Sequence, residues 1–134
     1  MLDHHRALIY VMVLVSASDA DMTDLELEAI AENVRYLPVF RDFDSEKMFE
    51  VARECTALLD DPEGLDKTLE LIKTSLPAKL CETAYAVACD IAAADAKATQ
   101  EELRLLEMLR HKLNVDRLCA AAIERGARAR HTRL

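Results

Sequence analysis

An all-α fold of about seven helices is predicted for this 134-residue chain by three observations. Gly occurs only twice and Pro three times, so helix breakers are scarce among many strong helix formers. Apolar residues recur at helical spacing and nowhere alternate with the two-residue period of a strand. An offset of 76 residues aligns Val11–Val34 with Val87–Arg110, which implies two copies of one structural unit. The length suits a single domain over 1–134. With 51% apolar residues, such a chain can build a core without metal or disulfide staples.

The first unit covers about residues 3–37. Its opening helix, about Asp3–Ser18, carries Leu8, Ile9, Met12, Val13 and Val15 on several sides, and a helix apolar all round is normally central. The run Ala7–Val15 is too short to span a bilayer. A similar segment recurs mid-chain, which argues against a cleaved leader. A short acidic loop follows, and a second helix starts after Thr23. Thr23 and Glu26 form a capping box there. Leu27, Ile30, Ala31, Val34 and Leu37 mark its buried stripe.

A helical pair fills about 44–76. Asp44 or Ser45 opens its first helix, which carries Met48, Phe49, Ala52, Cys55 and Leu59. Asp60–Gly64 is a turn in which Pro62 suits the first position of the next helix. Leu65, Leu69, Ile72 and Leu76 mark that helix, and Pro77 ends it. The second unit, about 77–113, repeats the first. Leu80, Ala84, Tyr85, Ala88 and Ile91 lie on a helix over about Pro77–Ala94, and Thr99 and Glu102 cap one bearing Leu103, Leu106, Leu109 and Leu113. A last helix from near Asn114 and a basic tail complete 114–134.

The net charge is −8. Residues 124–134 hold four Arg and one Glu, a local +3, so the rest of the chain carries −11. An acidic body repels phosphate, which excludes nucleic acid as the expected partner. The tail could bind an acidic surface, but it reads first as a frayed, solvated terminus that can touch the chain's own acidic body. Cys55, Cys81, Cys89 and Cys119 lack the close pairing of a zinc site. They read as buried, reduced thiols of a soluble cytoplasmic protein with no membrane span.

The acidic loops are the polar feature that stands out. The first offers Asp19, Asp21, Asp24 and Glu26, and the second Asp95 and Glu102. Clustered carboxylates suit hard cations such as Ca²⁺ or Mg²⁺, so these six are the candidate metal ligands. The first loop is not an EF-hand. Its sixth position from Asp19 is Asp24 rather than Gly, and its twelfth is Ile30 rather than Glu. Lys97 intrudes on the second loop. Helix capping accounts for the same Thr and Glu residues and is the reading they favour.

The string Asp-Ala-x-x-Thr-x-x-Glu, at Asp19–Glu26 and again at Asp95–Glu102, follows small-residue runs at Ser16–Ser18 and Ala92–Ala94. It resembles the signature of the tellurite-resistance TerB family, which also occurs in the N-terminal domain of a DnaJ-like membrane co-chaperone. The resemblance spans roughly residues 5–113. It departs at Ala20 and Ala96, where that family usually has Gly, and at Met22 and Ala98, where it usually has Ile or Val. It implies an interaction or scaffold module with a protein partner, in tellurite or other stress resistance. The alternative is a divalent-cation-binding protein using the Asp19–Glu26 loop.

An enzyme is not the expectation. The chain has no Gly-rich phosphate loop, no G-x-S-x-G and no H-E-x-x-H. Thiol chemistry at Cys81 or Cys89 is a third reading, but two turns of helix, roughly 12 Å, separate them. His4 and His5 read as a polar helix start. No cofactor is expected other than the candidate divalent cation.

Overall fold

The computed structural model describes residues 2–17, 23–94 and 99–134. Among these there are seven α-helices and no strand: α1 His4–Ser16, α2 Asp24–Tyr36, α3 Met48–Leu59, α4 Gly64–Ser75, α5 Cys81–Ala94, α6 Gln100–Lys112 and α7 Arg117–Arg130. The seven-helix expectation is met. Among the described residues no helix is long and apolar enough to cross a membrane.

The central position of α1 follows from its composition. Every residue from Ala7 to Ser16 is buried, and the one polar side chain among its last turns, Ser16, donates back to the carbonyls of Met12 and Val13. Asp3 caps its start by accepting from the Arg6 amide at 2.8 Å. Around α1 pack α3, α4, α5 and α2. At its polar end the Arg6 guanidinium pairs with Glu54 on α3, and the Tyr10 hydroxyl donates to the same carboxylate at 3.3 Å.

The first helix of each unit packs against that of the other, and each second helix reaches across, α2 onto α5 and α6 onto α1. This reciprocal packing is the pattern that a two-fold relation between the units gives. The units differ in what covers their first helices. Both α3 and α4 lie on α1, whereas α7 is the main cover of α5.

Three local expectations are corrected. Pro62 sits within the turn, and α4 begins at Gly64. The second unit opens with a 3-10 turn at Ala78–Leu80, and the α-helix itself starts at Cys81. Asn114 does not start α7. It follows α6 in the left-handed conformation, with φ 54°, while the Val115 amide donates to Arg110 and the Asn114 amide to His111. These paired bonds close a helix C-terminus, where Asn tolerates positive φ. Asp116 then caps α7 by accepting from the Cys119 amide.

The basic tail is not a frayed end. Arg130 pairs with Asp90 of α5 at 2.7 Å, His131 lies 3.4 Å from the same carboxylate, and Arg133 donates to the Ala94 carbonyl at 3.2 Å. The acidic body predicted from charge bias is the surface that holds the tail down. The His4 and His5 rings lie side by side at the start of α1, with their centroids 4.0 Å apart. His5 is bonded through Nε2 to the Val39 carbonyl at 2.9 Å and stacks on Phe40, so it fastens the chain beyond α2 to the start of α1.

Candidate functional site

The two capping boxes build the site. Thr23 has φ −78° and ψ 160°, and Thr99 has φ −77° and ψ 164°. In that extended conformation each Thr hydroxyl accepts from the amide of the Glu three residues on, at 3.1 Å in both cases. Each Glu reaches back with Oε1, which accepts from the Thr amide at 3.0 Å for Glu26 and 2.9 Å for Glu102. The two repeats thus fold alike at their helix starts.

A capping glutamate on a surface helix is usually solvated, but these two are only 2% exposed each. The cross-packing of α2 and α6 carries both carboxyl groups inward. Glu102 is pushed up to about 7, first by burial and then by the neighbouring Glu26 carboxyl, against the opposing hydrogen bonds from Thr99. Glu102 Oε2 is buried, and the partner left to it is the Glu26 carboxyl, to which a protonated Glu102 can donate. Without that bond a buried carboxyl oxygen would be costly.

Of the six candidate ligands, then, Glu26 and Glu102 come together. Asp24 is exposed on the first turn of α2, away from the buried pair. Asp19, Asp21 and Asp95 lie outside the described residues. Among the described residues, no group of three or more His, Cys, Asp or Glu side chains forms a metal-binding cluster. Reading the sequence assigned Glu26 and Glu102 to two separate loops and missed that they form one site. The recurrence of the capping box was the available signal, since equivalent positions near a two-fold can meet.

The pair makes stability depend on pH. The ordinary value for Glu102 is 4.5 and the folded value about 7, so between these the folded protein holds more proton than the unfolded chain. Stability therefore falls as pH rises through that window. Gln at this position keeps the shape and removes the titration. Relative to the parent, Glu102→Gln is expected to gain stability from pH 4.5 to pH 8, by up to about 3 kcal/mol. Melting curves of both proteins across that range check this, and a constant difference would mean that Glu102 does not titrate there.

The thiols are poorly placed for nucleophilic chemistry. All four are unpaired. Burial pushes Cys55 and Cys89 up to about 12 and also raises Cys81, while the nearby Glu82 carboxylate raises Cys119. Reactive cysteines need the opposite shift.

Comparison of the chain with protein-family models, curated proteins and solved structures gives no match to any of them.

Proposed function

We propose that this chain is a TerB-like interaction module that works by binding a protein partner, in tellurite or other stress resistance or in assembly of a larger complex, in the cytoplasm. The observation that supports this most is the pairing of two alike helix starts across the α1–α5 core. It brings the two helix starts to one junction through the buried Glu26 and Glu102, a form suited to presenting two similar surfaces together. The raised thiols favour this reading over a thiol-dependent enzyme. The acidic body favours a protein over a nucleic acid. Affinity capture with the parent and with the Asp19→Asn, Asp21→Asn double variant tests it. A partner retained by the parent and lost from the variant is expected. Identical recoveries from both would remove the loops from the interaction.

A second reading, divalent-cation binding, is favoured by the meeting of the buried Glu26 and Glu102 carboxyl groups. Hard oxygen donors of this kind fit Ca²⁺ or Mg²⁺. Asp19 and Asp21 would then serve on the first loop and Asp95 on the second. The first loop carries more carboxylates and lacks a counterpart of Lys97, so it is expected to bind first. Calorimetric titration with Ca²⁺, Mg²⁺, Mn²⁺ and Zn²⁺ would show heat that the Asp19→Asn, Asp21→Asn variant loses while keeping its melting temperature. If the variant lost stability with no change in heat, these carboxylates would be caps alone.

A further inference from the structure

The difference in cover between the two units leaves a space beside α5. Helices α6 and α7 both pack on α5 but share no substantial interface with each other. Between them runs a groove of about 870 Å³. Concave sites for small organic ligands commonly measure roughly 300–1,000 Å³. This groove lies on the second unit and is independent of the acidic loops.

Its walls are mixed, with an apolar stretch formed by Leu103 and Leu106 on one side and Ala127 on the other. Leu103 stays 52% exposed, an open aliphatic surface that water covers poorly. Tyr85 lies among the lining residues, where its hydroxyl donates to Glu124 at 2.6 Å and so is already satisfied. The cations stand on the same groove. Arg110, Arg128 and Arg133 line it, and among the described residues none of the three forms an ion pair. Arg133 is fixed by its bond to the Ala94 carbonyl, and Arg110 donates to the Val115 carbonyl at 3.5 Å. Two carboxylates, Glu107 and Glu124, also line the space. Three guanidinium groups against two carboxylates leave the groove locally positive on a chain whose net charge is −8.

We propose that the α5–α6–α7 groove binds a free amphiphilic carboxylate of the fatty-acid class. Its hydrocarbon chain lies along Leu103, Leu106 and Ala127, and its carboxylate is held by the arginines. An apolar stretch alone would accept any oily molecule. Guanidinium groups without a carboxylate partner select an anion, because the donors left beyond the Arg133–Ala94, Arg110–Val115 and Arg110–His111 contacts offer charge-assisted bonds to a carboxylate.

Titration of the full chain with decanoate, below its micellisation limit and followed by amide chemical shifts, tests the assignment. Saturable shifts are expected at Ala92, Leu103, Leu106, Ala127 and Arg128. Decanol, which has the chain without the charge, should bind about tenfold more weakly. Acetate, which has the charge without the chain, should produce no saturable shift. Arg128 and Leu103 are exposed, so Arg128→Gln and Leu103→Glu should melt like the parent. The first should weaken decanoate about tenfold, and the second should block it. Equal binding of decanol and decanoate would overturn the proposal, as would shifts scattered away from the groove or full affinity in both variants. Binding to anionic vesicles without affinity for free decanoate would place a membrane surface there instead. An acidic amphipathic peptide that shifted these amides while decanoate did not would assign the groove to a protein. Either result would equally overturn the fatty-acid assignment.

Discussion

Met12→Asp is expected to remove most of the stability of this fold. Met12 is fully buried near the middle of α1, which α2, α3, α4 and α5 surround. The Asn33 side-chain amide donates to its sulfur at 3.6 Å, and this neutral group cannot compensate a carboxylate. An aspartate there must either ionise without a counter-charge or take up a proton and stay poorly bonded. It also surrenders the packing of a long apolar side chain. A loss of about 4–5 kcal/mol or more follows, against a total of about 5–15 kcal/mol for a domain of this kind. The melting temperature should fall by on the order of 15 °C, or the cooperative transition should vanish. Met12→Leu, similar in volume, should cost less than about 1.5 kcal/mol. Thermal and urea unfolding of the three proteins check this. Parent-like melting of Met12→Asp would refute the central placement of α1.

Gly64→Ala is the second large effect, and its sign runs against helix propensity. Alanine is normally the better helix former by about 1 kcal/mol. At Gly64, however, an added Cβ would lie 2.2 Å from the Leu58 carbonyl oxygen and 2.9 Å from the Leu59 Cα. Both are backbone atoms at the end of α3, so no side-chain rotation relieves the clash. The α3–α4 hairpin would have to open, and both helices rest on α1. A cost of about 1–3 kcal/mol or more is expected. Gly126→Ala makes the contrast, because its Cβ would meet only the side-chain end of Arg130 at 3.3 Å, which can shift by a few tenths of an ångström while it keeps its pair with Asp90. That substitution should gain about 0.5–1 kcal/mol. Denaturant midpoints for the pair separate the two mechanisms. If both variants became more stable, the tight hairpin would be wrong.

The helices were legible where periodicity and caps agreed. The unbroken apolar surface of α1 announced its burial, and Thr23 and Thr99 marked two helix starts that the structure places as read. Boundaries were harder where a residue admits two roles. Asn114 suits either a helix start or a left-handed close, and the bonds from Val115 and Asn114 back into α6 decide between them. The tail was misread because its partner, Asp90, lies 40 residues earlier than Arg130. Local charge cannot reveal such a pairing. Burial of Glu26 and Glu102 was hidden for the same reason, since each looks like an ordinary cap until the second copy of the unit is placed against the first.

The two capping boxes also set a charge balance. A helix start carries an effective positive charge of about one half, and α2 and α6 bring two such ends to one buried junction. Burial and the neighbouring Glu26 carboxyl both favour the proton on Glu102, which spares that junction a second buried negative charge. The charge at the start of α6 therefore depends on how the start of α2 is packed beside it.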